Sequence, residues 1–312
     1  MAVVGLAAGL LLSACGSAPG SAETSGSGSG QAVEPAAQSA QAAAATPTLR
    51  RSTLLVVGDV GDCGAGGDRG AASATLASTL PGPILLLGDI AYRDGTRANY
   101  DACFLPAWGP LASRTRAVIG NHDNRHRSVF YRQWPSSGTS ARPWYSYRVG
   151  SWRVLVVDAN CRPVSCSSGG PQTTWLRNTL ASHRQQCTLL AMHQPRFSSD
   201  DEHGDDASVD ALWRTAHAGG VDLVVAGHAH DYERIGPVGI AGRSRSAGPV
   251  LLVVGTGGAA RRGFASITPA SKKRINNTFG IARLTLGPST WRSEFLAAPS
   301  GRMRDTASGS CR

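Results

Sequence analysis

Lysine is almost missing from this chain of 312 residues. Lys272 and Lys273 are the two lysines among 31 basic residues, so the net charge of +10 rests on arginine. Long apolar runs are missing too. No stretch reaches the roughly 18 uncharged apolar residues of a spanning helix, which argues against an integral membrane protein of helical type. There is no three-residue repeat, so the 38 glycines do not signal a collagen-like chain. No run of basic residues is interleaved with aromatics, and specific nucleic-acid binding is therefore not expected. What remains, at 41% hydrophobic and 17% charged, describes a soluble globular chain. The arginine excess fits an anionic partner, and equally a solvated surface on which arginine is simply scattered.

Val3 to Leu12 form a short apolar core that ends in small residues at Cys15, the build of a secretory signal. Leu12-Ser13-Ala14-Cys15 resembles a bacterial lipobox, in which the cysteine is lipidated and becomes the first mature residue. No positive charge precedes the core, since the first basic residue is Arg50, so the true start is open. The expectation is export, with the chain anchored by lipidated Cys15 to the outer face of the cell membrane, or extracellular if released. Residues 1–15 read as a lipoprotein-type signal and 16–50 as a disordered Ser/Gly/Ala/Pro-rich tether unable to bury a core. Residues 51–300 read as one folded domain and 301–312 as a C-terminal tail. Beyond Cys15 stand Cys63, Cys103, Cys161, Cys166, Cys187 and Cys311, an even set that in an exported chain implies up to three disulfides. Their pairing is open; the short spacing makes Cys161 with Cys166 the first pair to expect.

Apolar runs of strand length recur: 53–57, 84–87, 116–119, 153–157, 188–191, 223–225 and 250–254. Their unbroken Val/Leu/Ile character suits strands buried on both faces. Helical patterns fall between several of them. Val209, Leu212, Trp213 and Ala216 share one helical face before Gly219, and Pro171 opens another helix with Trp175, Leu176 and Leu180 on one side. Alternating strand and helix predicts βαβ units, whose ligands gather at the carboxyl ends of the strands. Residues 281–286 and 290–296, around Gly287-Pro288, predict a final antiparallel pair.

Immediately after these runs come Gly58-Asp59-Val60-Gly61, Gly88-Asp89-Ile90-Ala91-Tyr92, Gly120-Asn121-His122-Asp123, Met192-His193 and Gly227-His228-Ala229-His230. Each block alone is weak, since Gly-Asp after a strand is often just a turn. Together they deliver oxygen and imidazole donors to one sheet edge, a mixture suited to iron, manganese or zinc. Seven donors exceed one tetrahedral ion and suggest a pair bridged by a carboxylate.

The ordered blocks resemble those of the calcineurin-like metallophosphoesterases, and Tyr92 three residues after Asp89 narrows the resemblance to the purple acid phosphatases. The resemblance covers roughly residues 52 to 300 and implies an α/β fold: an αββα sandwich of two mixed β-sheets flanked by helices. It implies that Asp59, Asp89, Tyr92 and His230 hold a ferric ion, and that Asp89 bridges to a divalent ion (Fe, Zn or Mn) held also by Asn121, His193 and His228. The implied reaction is hydrolysis of phosphomonoesters by a metal-bound hydroxide. His122 and His203 are the candidate proton donors, with Asp123 a possible orienter of His122. Gln194-Pro195-Arg196-Phe197 departs from the plant and mammalian pattern, where a His or Tyr is often found.

Other residues have plainer readings. His183 and His217 sit near predicted helix ends and read as structural. His126, between Arg125 and Arg127, reads as solvated or phosphate-contacting, and Asp62 as a turn carboxylate or a support to the site. Tyr145, Tyr147, Trp144 and Trp152 read as core packing. Asn276-Asn277-Thr278 matches a glycosylation site by pattern alone. Gly255-Thr256-Gly257-Gly258 lacks a following Lys-Ser/Thr and reads as a turn near the site rather than a phosphate loop. Three functions stay open: a phosphomonoesterase, a phosphodiesterase or nucleotide hydrolase, and a non-catalytic lipoprotein that binds phosphate or metal.

Overall fold

The computed structural model describes residues 51–64, 68, 70–182 and 187–312. The leader, Cys15, the tether and His183 lie outside the described residues. The strands are β1 (Ser52–Val57), β2 (Ile84–Leu86), β3 (Thr115–Ala117), β4 (Tyr145–Val149), β5 (Trp152–Val156), β6 (Thr188–Ala191) and β7 (Leu223–Ala226). They continue with β8 (Tyr232–Ile235), β9 (Val250–Val254), β10 (Ser271–Ile275), β11 (Gly280–Leu286), β12 (Thr290–Ala297) and β13 (Arg302–Ser310). One sheet has the order β13-β12-β11-β1-β2-β3 and the other β10-β8-β9-β7-β6-β5-β4. Both are mixed. β1, β2 and β3 run parallel, as do β5, β6, β7 and β9, while the remaining pairings are antiparallel.

Alternation along the strands explains the layers. In β1, Leu54 and Val56 point into a core shared by the two sheets, whereas Leu55 and Val57 face the outer helices. In β7, Leu223 and Val225 join the shared core while Val224 and Ala226 pack under the other helical layer. Tyr232 stacks on Phe295 across the two sheets at 4.2 Å between ring centroids. The helix Ala71–Thr79 covers the first sheet. The helices Pro171–Ala181 and Asp210–Ala218 cover the second, burying Leu176 and Leu180, and Leu212, Trp213 and Ala216. The result is the αββα sandwich. Among the described residues no helix is long and apolar enough to cross a membrane.

One sequence expectation changes. Residues 301–312 are not a tail: β13 pairs antiparallel with β12 from Ala297↔Arg302 to Thr290↔Ser310. As an edge strand of alternating small, polar and charged residues it carries no apolar signature, which is why it does not read as a strand. The disulfides are Cys63–Cys103, Cys161–Cys166 and Cys187–Cys311, the last tying the residue after β13 to the start of β6. Both lysines lie exposed on β10 beside Arg274, where clustered charge discourages pairing with another chain. The predicted pair 281–286 and 290–296 is the β11–β12 hairpin, with Leu286 opposite Trp291.

Candidate metal centre

The carboxyl ends of β1, β2 and β3 meet those of β6 and β7. The turn glycines are dictated by this crowding. A Cβ on Gly120 would lie 2.0 Å from Asp89 Oδ1, and one on Gly88, at φ +95°, would lie 2.5 Å from His193 Nδ1. Each missing side chain makes room for a donor from another block. Asp59, Asp89 and His228 themselves adopt φ of 61°, 51° and 72°, a left-handed conformation that non-glycine residues adopt at a cost.

All seven residues expected as ligands are brought together. Tyr92 Oη lies 2.9 Å from Asp59 Oδ1, 3.1 Å from His230 Nε2 and 3.2 Å from Asp89 Oδ2. His230 Nε2 is 3.6 Å from Asp59 Oδ1. On the other side, His193 Nε2 lies 3.3 Å from Asp89 Oδ2 and 3.0 Å from Asn121 Oδ1. Donor atoms of Asp89, His193 and His228 fall within 4.8 Å of one another. Asp89 Oδ2 thus touches both groups.

Backbone groups aim these donors. The His228 amide donates to Asp59 Oδ2 at 2.9 Å and the His122 amide to Asp89 Oδ1 at 2.8 Å, leaving the second oxygen of each carboxylate toward the cluster. His193 Nδ1 sits 2.7 Å from the Leu87 carbonyl and His230 Nδ1 2.8 Å from the Ala260 carbonyl. Each Nδ1 therefore donates outward and each Nε2 faces inward, the tautomer a metal requires. The Gly255–Gly258 loop braces the Asp59 turn: Gly257 N donates to Gly58 O at 3.0 Å and Ala259 N to Asp59 O at 2.8 Å.

Electrostatics make the cluster uncomfortable without a cation. Burial, reinforced by the charge of Asp89, drives the Asp59 carboxyl up to about 7. Burial would raise Asp89 as well, yet His193, His122 and His228 together hold it below the usual carboxylate range. Burial works to lower His193, but Asp89 and Asp59 outweigh it and lift the imidazole to about 9. Burial, helped by Arg262, drops His230 to about 4; burial with His193 and His203 takes His228 well below its ordinary value. The Tyr92 phenol is raised by burial and by both carboxylates. Two buried carboxylates, a phenol and two imidazoles at hydrogen-bond distance, with His228 donor atoms within 4.8 Å of those of Asp89 and His193, form a buried donor set that cations would stabilise.

Around this centre, His122 reaches 3.8 Å from Asp89 Oδ2 through Nε2 and rests on Tyr92, with 4.6 Å between ring centroids. Its Nδ1 contacts the Arg93 carbonyl. Asp123 is not its orienter. That buried carboxylate accepts from Gly120 N at 3.0 Å and Ile90 N at 3.2 Å, so it fixes the two ligand turns instead. His203 is also at the site, its ring 4.0 Å from that of His228. Asp200 Oδ2 holds it, at 2.7 Å from the His203 amide and 3.1 Å from Nδ1. Asp200 was legible in principle as an acid three residues before a histidine. Arg262, which no sequence signal marks, presses its guanidinium on His203 and pairs with Glu202 at 3.0 Å. Behind the Asn121 turn, Arg127 pairs with buried Asp158 at 2.8 Å, and Asn160 reaches the Gly120 carbonyl at 3.3 Å.

Asp62 accepts from Gly64 N at 2.7 Å in a turn, and His126 Nδ1 lies 2.7 Å from the Asp94 carbonyl. Asn276 donates to the Arg262 carbonyl at 2.9 Å. His217 lies in the last turn of the helix Asp210–Ala218.

The chain resembles several known proteins. The chain is 30% identical over 202 residues to an uncharacterised protein of Mycobacterium tuberculosis, covering 54% of this chain and 38% of that one. It is 27% identical over 235 residues to purple acid phosphatase 18 of Arabidopsis thaliana, covering 70% and 48%. The chain thus spans less than half the length of these relatives. Among solved structures, the purple acid phosphatase from yellow lupin seeds shares the fold at a TM-score of 0.69 and 21% identity, over 84% of this chain and 54% of that one. The family model of the calcineurin-like phosphoesterases matches residues 52–232, more than half of the chain, and the chain belongs to that family.

Proposed function

We propose that the protein is an exported, metal-dependent phosphomonoesterase of the purple acid phosphatase type. The observation that carries this reading is the position of Asp89 Oδ2, 3.2 Å from the Tyr92 phenol and 3.3 Å from His193 Nε2, between two groups of donors. Asp59, Asp89, Tyr92 and His230 would hold one ion, taken as ferric because a phenolate favours a hard trivalent cation; Asp89, Asn121, His193 and His228 would hold a divalent one. Two such ions would supply Lewis-acid activation of a water and of the phosphoryl oxygens.

The chain's own residues do the rest. Asp59 and Asp89 keep one oxygen on a backbone amide, so their inward oxygens stay in place as charge changes during turnover. His203 is held by Asp200 at Nδ1 and pressed by the Arg262 guanidinium, and it would pass a proton to the departing oxygen once substrate draws that guanidinium away. His122 stands on the opposite rim, near Asp89 and Tyr92, where it orders the phosphoryl group. A monoester is favoured over a diester because two histidines line the rim and suit a dianionic phosphoryl group.

The test compares p-nitrophenyl phosphate with bis(p-nitrophenyl) phosphate on the metal-loaded protein. The reading expects kcat/KM at least tenfold higher on the monoester; preference for the diester would move the protein to the phosphodiesterases, and no turnover of either to non-catalytic binding. Anchoring rests on the lipobox-like segment at Cys15. Cys15→Ser should abolish incorporation of a fatty-acid label, and an unlabelled parent would remove the lipoprotein assignment.

A further inference from the structure

Beyond its contact with His203, Arg262 has no place in the reading above, yet its position is specific. Its backbone amide donates to the His230 carbonyl at 3.3 Å, and Asn276 clasps its own carbonyl at 2.9 Å, so its Cα is fixed beside a ligand turn. The side chain is 20% exposed; its guanidinium lies against both ring nitrogens of His203 while Nε pairs with Glu202 at 3.0 Å. The His203 ring in turn covers His228 at 4.0 Å. From the metal cluster outward the order is therefore His228, His203, Arg262. A phosphoryl group held at the cluster meets His203 first, and the guanidinium is left for whatever substituent extends beyond it.

Glu202 is the acid that ion-pairs with Arg262; Asp201 lies against Gly263, the next residue, without an ion pair to the guanidinium. Asp200 is engaged by His203, Asp205 accepts from Ser198 N at 3.0 Å, and Asp206 accepts from Ser208 N at 2.8 Å. Glu202 occupies only the Nε side of Arg262, and its own side chain is 62% exposed, so an incoming anion can displace it. A guanidinium at such a rim offers a planar fork to phosphate or carboxylate oxygens.

We propose, resting on the phosphomonoesterase reading, that Arg262 is a specificity-determining residue that binds an anionic group on the leaving portion of the substrate. The enzyme then favours phosphoesters and phosphoanhydrides whose leaving group carries its own phosphate or carboxylate. For pyrophosphate, the oxygen of water forms the new P–O bond, the bridging P–O bond breaks, and the departing phosphate takes up a proton.

Arg262→Gln keeps a flexible polar side chain without the charge. Steady-state kinetics on the metal-loaded enzyme should compare pyrophosphate and phosphoglycolate with phenyl phosphate, whose leaving group bears no second anion. The ratio of kcat/KM for either anion-tailed substrate over phenyl phosphate should fall about 10–100-fold in the variant, mostly through KM. A fall for both places phosphate and carboxylate in one subsite; a fall for pyrophosphate alone restricts it to phosphate. An unchanged ratio for both, with or without a general loss of activity, overturns the proposal. Calorimetric titration with pyrophosphate and with inorganic phosphate reads the same contact without turnover. If the parent hydrolyses nothing but its preference for pyrophosphate still vanishes in the variant, the phosphatase reading fails and the subsite stands. Should Arg262→Gln not fold, Glu202→Gln frees the guanidinium and should lower the KM for pyrophosphate relative to phenyl phosphate. No such drop overturns the proposal.

Discussion

Removing cations from the centre with a chelator should make folding stability fall as pH rises from about 6.5 to 9. The metal-free donor set determines the sign. His193 is lifted from 6.5 to about 9, so the folded chain holds a proton that the unfolded chain releases. A raised imidazole contributes stability fully present below 6.5 and lost as pH passes through 9. The gap is worth about 3 kcal/mol, or roughly 6–12 °C in Tm for a domain of this size. At lower pH the contributions oppose one another. Asp59 and Asp123, raised from 3.8 to about 7 by burial and by Asp89, cost stability between those values as pH climbs. His230, lowered by burial to about 4, gains stability up to 6.5, and His228 shifts in the same direction. The metal-free protein should therefore lose Tm above pH 6.5. Metal ligation requires a neutral His193, so reloading should flatten the upper limb and release protons. Differential scanning calorimetry of chelated and reloaded protein across pH 5–9 tests this. A chelated protein whose stability is flat or rising from pH 6.5 to 9 would refute the charge assignment.

Cys311→Ser opens the bond between residues 187 and 311, which spans a separation of 124 residues. Loop entropy of that length is worth about 5 kcal/mol on the chain-entropy account, so thermal unfolding should show a large drop in Tm; a shift under a degree would mean that β13 is held by its pairing alone. Tyr92→Phe keeps the ring but deletes the oxygen within 2.9 Å of Asp59. Protein purified with iron available should be coloured in the parent, and the visible band should vanish in the variant while circular dichroism is unchanged. A colourless parent that contains iron would contradict the phenolate. Gly255→Ala would set a Cβ 1.8 Å from the Ala229 carbonyl oxygen and 2.9 Å from Asp59 Oδ2. It should cost more than about 2 kcal/mol and weaken metal binding, whereas a Tm within a degree of the parent would show that the loop is not rigid.

Much of the site was legible because its chemistry is concentrated in short blocks. Asp59, Asp89, Asn121, His193 and the His228/His230 pair each follow an apolar run directly, and a strand's carboxyl end is where a parallel sheet gathers ligands. The buried strands β1, β6, β7 and β9 were equally plain, since both faces are apolar. β13 was not. Its residues pack little, and it exists because β12 offers an edge and Cys187 a bond. The disulfide pairing of the two distant cysteine pairs depends on tertiary approach and left no trace in spacing. Asp123 misled because its neighbour in sequence is a site histidine, while its carboxylate serves the amides of Ile90 and Gly120. Arg262 looked like one more arginine among many; its role is set by His203 and Glu202, brought to it from 59 and 60 positions away.

The central claim is that Asp89 joins two ions in one hydrolytic centre. Elemental analysis of the parent and Asp89→Asn, purified side by side and assayed on the same phosphomonoester, tests it most directly. The variant retains the shape of the side chain but loses the charge that keeps two mutually repelling cations together. The account predicts two ions per chain in the parent, at most one in the variant, and turnover reduced by about three orders of magnitude or more. Two ions per chain in Asp89→Asn with turnover close to the parent's would contradict it.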